Sequence, residues 1–184
     1  MEFLTDHKIP IGIWAKHFVD WLTLSGAWFF DWLSTVLKHI IDALLLVLQW
    51  PHPLAVVVAF TGIAWYFRRS LGVTLFTCLG LLFIINQGYW KETTETLALV
   101  VAAAAVSMAI GVPVGIASAR RPWLYEILRP MLDLMQTIPT FVYLIPALIL
   151  FGLGMVPGLI ATVIFAIPAP IRLTRLGIIS TPSA

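Results

Sequence analysis

Charge is scarce in this chain. Asp, Glu, Lys and Arg make up 11% of its 184 residues, against about 25% in a soluble domain. With 60% hydrophobic residues and a mean hydropathy of +0.97, a soluble globular domain is excluded and an integral membrane protein is left. The net charge is only +2 and no basic run occurs, so nucleic acid is not a partner. The single cysteine, Cys78, rules out an internal disulfide. His7, His17, His39 and His52 are scattered without an i, i+4 pair, so no metal centre is expected. No GxxxxGKS/T loop occurs, so the chain carries no nucleotide site and no cofactor of its own. The opening MEFLTDHKIP is not a basic-then-apolar secretory signal.

A more telling absence lies inside the apolar stretches. Residues 53–67, 70–90, 96–119 and 134–171 contain no Asp, Glu, Lys, Arg or His. Carriers coupled to a proton gradient need such a group in the membrane, whereas sodium can be held by backbone carbonyls. No nucleophile–base pair can be assembled there either, so the chain is not read as an enzyme. A conduit driven by another subunit and a passive channel both survive.

What is present is organised around Asp133–Arg175, where a glycine-rich break, Phe151–Gly158, separates two apolar stretches. The prolines are Pro139 and Pro146 in the first and Pro168 and Pro170 in the second. Each removes a backbone donor, and lipid tolerates this only where protein or a cavity satisfies the freed carbonyls. A pair of broken helices lining a path is therefore expected. Gln136, Thr137, Pro139, Phe141, Tyr143 and Pro146 are the path candidates by position. Aromatic faces at Phe141, Tyr143 and Phe165 suit a cationic solute, with packing or lipid contact as the plainer role. Gln136, Thr137, Thr140 and Thr162 are placed to bond opened carbonyls. Asp133 is expected to pair with nearby Arg129 at the surface.

Five spans are predicted: Leu54–Phe67, Leu71–Trp90, Thr96–Ala119, Leu134–Phe151 and Gly158–Ile171. Alternate loops hold Arg68 and Arg69, then Arg120, Arg121 and Arg129, then Arg172 and Arg175, while Lys91 stands alone between spans on the other side. Retention of positive charge in the cytoplasm puts the N-terminal tail outside and residue 184 inside. In Leu33–Trp50 apolar residues recur at 33, 36, 37, 40, 41, 44, 45 and 48, the period of an amphipathic helix. With the tryptophans of residues 1–50 it reads as a helix lying in the membrane surface, and a crossing is the alternative. The third span holds Ala102–Ala105 and Gly111-Val-Pro-Val-Gly115. Small residues there let helices approach closely, and the Gly–Pro–Gly segment is open to a second role as a flexing point.

The segments LRPMLDLMQTIPTFVYLIPA (128–147) and GMVPGLIATVIFAIPAPIRLTRLGI (154–178) resemble the permease subunit of bacterial ABC importers for glycine betaine, proline betaine and choline. The similarity is strong over about residues 92–184 and looser before, where Asn86-Gln-Gly-Tyr-Trp-Lys91 is similar to the choline-type permeases. The resemblance implies an all-α polytopic protein of the bacterial inner membrane with the type I permease fold. It also implies a homodimeric pore, a cytoplasmic ABC ATPase and a periplasmic substrate-binding protein. Three parts are expected. Residues 1–52 form a periplasmic tail with the interfacial helix, 53–91 two peripheral spans, and 92–184 the N-terminal part of the permease core. The family's ATPase-docking loop, with EA..A.G followed by LP, lies beyond its fifth span, and no such motif precedes Ser180-Thr-Pro-Ser-Ala184. The chain is therefore expected to be a fragment or a truncated product and, lacking this coupling element, unable to use ATP hydrolysis. Rival readings are a passive or tension-gated channel, an ABC permease for another small solute such as an amino acid, and a non-transporting scaffold.

Overall fold

The computed structural model describes residues 11–181, and these form eight helices. In chain order they are α1 Ile11–Gln49, α2 Pro53–Arg68, α3 Leu71–Asn86, α4 Trp90–Arg120, α5 Pro122–Thr137, α6 Thr140–Phe151, α7 Met155–Ala166 and α8 Pro168–Ile179. The expectations for residues 1–10, His7 included, and for residues 182–184 lie outside the described residues.

Proline and glycine set most of the joints. A residue before proline is pushed out of the α region. Arg121 before Pro122 and Ile138 before Pro139 are accordingly extended, with ψ of 90° and 130°. His52 caps α2 by accepting from the Leu54 N–H at 3.3 Å, with Pro53 in the first turn. The α3–α4 turn uses Gly88 at φ +77° and the α6–α7 turn uses Gly152 at +74° and Gly154 at +146°, a region that costs glycine little.

Pro168 departs from expectation. It was placed in a broken helix, yet Ile167 keeps helical angles (φ −58°, ψ −30°) and its N–H still reaches the Val163 carbonyl at 2.9 Å. Met155–Ile179 thus runs as one rod through α7 and α8. Tertiary packing overrides the local preference, because Pro168 is buried and Pro170 rests on Gly111 of α4. Pro146 and Pro113 also sit within continuous helix, so the Gly111–Gly115 segment is not a turn.

Helix α4 is the centre, packed by α8, α7 and α1 and met by α5 at its end. Its packing face is small: Ala98, Ala102, Ser107, Gly111, Gly115 and Ser118 are all buried. A Cβ on Gly111 would fall 2.6 Å from Pro170 Cγ, and one on Gly115 would fall 2.8 Å from the Ile171 carbonyl oxygen. Close helix approach therefore explains these glycines. Leu37 and Ile41 of α1 join Ala102, Ala103, Val156 and Leu159 in the core. The 3.6-residue period of Leu33–Trp50 is real, and part of its apolar face is covered by α4 and α7. Gln49 ends the contact by donating to the buried Thr94 hydroxyl at 2.8 Å.

The span count differs from the five predicted. Two helical stretches, Trp90–Arg120 and Met155–Ile179, are long and apolar enough to cross a membrane. Two more qualify only if bent pairs count as single spans: Gly12–Gln49 with Pro53–Arg68, and Pro122–Thr137 with Thr140–Phe151, each bent by 94°. Helices α2 and α3 have 16 residues each, about 24 Å of rise, short of a hydrocarbon core of about 30 Å.

Candidate functional site

The break at Ile138–Pro139 positions most of the candidate path residues. Proline lacks the N–H that a continuous helix would send back four residues, and the chain turns by 94° between α5 and α6. The Leu134 carbonyl takes up the slack. It accepts from the Ile138 N–H at 3.1 Å, the Thr137 hydroxyl at 3.2 Å and the Tyr143 hydroxyl at 3.2 Å. The tyrosine bond crosses the elbow and ties α6 back to α5. Gln136, Thr137 and Pro139 are exposed around this corner, and Pro146 is exposed farther along α6.

The aromatic candidates separate. Tyr143 turns toward the elbow, whereas Phe141 lines a groove of about 220 Å³ between α6 and α7 with Thr140, Leu144, Gly158, Thr162 and Phe165. The Thr162 hydroxyl is spent on the Gly158 carbonyl at 2.7 Å. This groove carries no charge. It offers two phenyl rings and the Thr140 hydroxyl, and a quaternary ammonium is attracted to such rings without a counter-ion. Sequence spacing alone could not join Phe141 to Phe165, which line one groove only because α6 folds back on α7.

Below the elbow the charges pair across elements. Asp133 bonds Arg172 of α8 at 2.6 Å rather than Arg129 one turn away, correcting the local pairing expected from the sequence. Arg175 lies over the Tyr125 ring, 3.7 Å from its centroid. Periodicity gives no hint of either contact. On the opposite side, Ser34, Lys38 and Asp42 of α1 edge a cavity of about 300 Å³ beside the Gly152–Gly154 turn. Among the described residues no group of three or more His, Cys, Asp or Glu converges to hold a metal.

Residues 111–184 match the family of binding-protein-dependent transport system inner membrane components. Over most of its length the chain is similar to transport permeases. It is 39% identical to the glycine betaine transport system permease protein OpuAB of Bacillus subtilis, over 96% of this chain and 62% of that one. It is 41% identical to the glycine betaine/carnitine transport permease protein GbuB of Listeria monocytogenes, over 92% and 61%. It is also 41% identical to the glycine betaine/proline betaine permease ProW of Escherichia coli, over 96% and 50%. The chain thus spans one half to three fifths of the length of these relatives.

Proposed function

We propose that the chain is the permease part of an ATP-driven importer of quaternary ammonium osmolytes, since residues 111–184 match binding-protein-dependent transport system inner membrane components and its helices include stretches long and apolar enough to cross a membrane. Glycine betaine, proline betaine and choline are the solutes in view. The observation that carries the reading is the uninterrupted absence of Asp, Glu, Lys, Arg and His from Leu134 to Ile171 in a chain about 40% identical to three glycine betaine transport permeases. A route with no acidic, basic or histidine side chain of its own lacks the groups that couple transport to protons.

On this reading ATP is hydrolysed by a separate cytoplasmic subunit, a periplasmic binding protein delivers the solute, and two copies of the permease enclose the path. Residues 92–184 supply core helices, 53–91 stand at the periphery, and the tail up to residue 52 lies on the outer side. There Lys38 and Asp42 beside the Gly152–Gly154 turn offer charge to a docking protein. The path follows Gln136, Thr137, Pro139, Phe141, Tyr143 and Pro146, with the Phe141–Phe165 groove as the place where the cationic head rests.

The test is uptake of labelled glycine betaine and choline by salt-stressed cells expressing the protein with its ATPase and binding protein. Uptake should stop when ATP is depleted and persist when the proton gradient alone is collapsed. The opposite pattern, or flux without the two partners, would overturn the proposal.

A further inference from the structure

We propose that α5 does not cross the bilayer but lies flat in the cytoplasmic headgroup layer, presenting an apolar stripe to phospholipid acyl chains. Its sixteen residues divide, at about 100° per residue, into three arcs of roughly equal width. Leu124, Tyr125, Leu128, Leu132 and Met135 face protein and are buried or half-buried. Glu126, Arg129, Asp133, Gln136 and Thr137 form an exposed polar arc. The third arc is apolar and uncovered: Trp123, Ile127, Met131 and Leu134 are each 56–58% exposed.

A crossing helix carries charges such as Glu126, Arg129 and Asp133 only at high cost, and a helix in water leaves no such apolar stripe bare. An in-plane amphipathic helix needs both.

The geometry fixes the level as well as the tilt. α5 meets α6 at 94°, so it lies across α6 rather than prolonging it. Its start follows Arg120–Arg121, and its far half is bonded through Asp133 to Arg172, with Arg175 over Tyr125. These arginines belong to the charge clusters that mark the cytoplasmic side. Both ends of α5 are thus held at the same charged level. The exposed Arg120, Arg121 and Arg129 complement lipid phosphates, while Trp123 has the amphipathic ring favoured at such a boundary. A phospholipid surface is the occupant that this pattern of charge and apolar area fits.

The experiment places a spin label at one position at a time in the complete, lipid-reconstituted protein, on a Cys78→Ser background. The variants are Trp123→Cys, Ile127→Cys, Met131→Cys and Leu134→Cys, with Phe141→Cys and Ile149→Cys on α6 as reference. Depth is read from collisions with oxygen against a water-soluble nickel chelate. The proposal requires all four α5 labels to be oxygen-accessible at nearly one depth. The two α6 labels, eight residues apart, should differ by about 12 Å. A steady depth gradient along α5, approaching about 16 Å from position 123 to 134, would show a crossing helix and overturn it. So would labels shielded from both reagents, or spin–spin broadening between copies, since either means that protein covers the stripe. All four sites are exposed, so the substitutions leave the packing intact, and retained solute uptake by each of the four α5 variants checks this.

Discussion

The Asp133 carboxylate accepts a 2.6 Å hydrogen bond from the Arg172 guanidinium, joining α5 to α8 across 39 residues of sequence. The pair sits just below the elbow, so it opposes any motion that would swing α5 away from the α7–α8 rod. Both side chains remain partly open, 53% and 34% exposed, so the link is modest and reversible. Arg175 over Tyr125 adds a second tie between the same two helices.

Asp133→Asn is expected to cost no more than about 1 kcal/mol of stability, the range of partly exposed ion pairs. Asp133→Arg alone should cost more through like-charge repulsion, and adding Arg172→Asp should recover most of the loss. Thermal melting of the wild type, Asp133→Arg, Arg172→Asp and the double variant in one detergent closes this cycle. Additive effects in the double variant would mean that the two residues do not interact.

Gly115→Ala should be disruptive and Gly62→Ala silent. The added methyl at position 115 meets the Ile171 carbonyl oxygen at 2.8 Å and Thr174 Cβ at 2.7 Å, whereas at position 62 it meets nothing within 4 Å. Overpacking of this kind costs roughly 1–3 kcal/mol. Equal melting temperatures for the two variants would refute the close contact of α4 with α8.

Pro139→Ala removes about 3 kcal/mol of bias against continuous helix. The α5–α6 angle should open from 94°, and the distance between labels at positions 126 and 149 should lengthen in pulsed dipolar spectra, with uptake falling severalfold. Tyr143→Phe removes the 3.2 Å bond to the Leu134 carbonyl. Its smaller effect, about 1 kcal/mol, should broaden the distance distribution without shifting its centre. An unchanged distance in Pro139→Ala would locate the cause of the bend elsewhere.

Cysteines introduced at Phe141 and Phe165, on the Cys78→Ser background, should react with a cationic thiol reagent and be protected by choline or glycine betaine. Replacing both rings with leucine keeps the groove apolar but removes the cation–π attraction, about 0.5–2 kcal/mol for each ring. The apparent affinity for solute during uptake should weaken accordingly. Protection at neither position would exclude this groove from the path.

Much of the chemistry was legible before any coordinates. Composition alone put the chain in a membrane, because long runs such as Leu134–Ile171 hold no charge. The period of Leu33–Leu48 announced a helix with one apolar face, and the Gly111–Gly115 spacing announced a close helix contact. These readings rest on local spacing, which the 3.6-residue repeat converts directly into a face. Span boundaries were less legible, since hydropathy measures apolar length and is blind to a right-angle turn within it.

The sequence by itself determined the solvent this protein inhabits, the helical nature of its segments, and the absence of any acidic, basic or histidine side chain from the central pair. Which proline bends the chain was decided only in three dimensions. Pro139 breaks its helix, with Ile138 extended as a residue before proline prefers, while Pro168 is kept in line by burial against neighbouring helices. The same holds for Asp133 choosing Arg172 over Arg129 and for Phe141 and Phe165 lining one groove. A local rule gives each residue a preference of a few kcal/mol, and packing against a distant helix is large enough to uphold or reverse it.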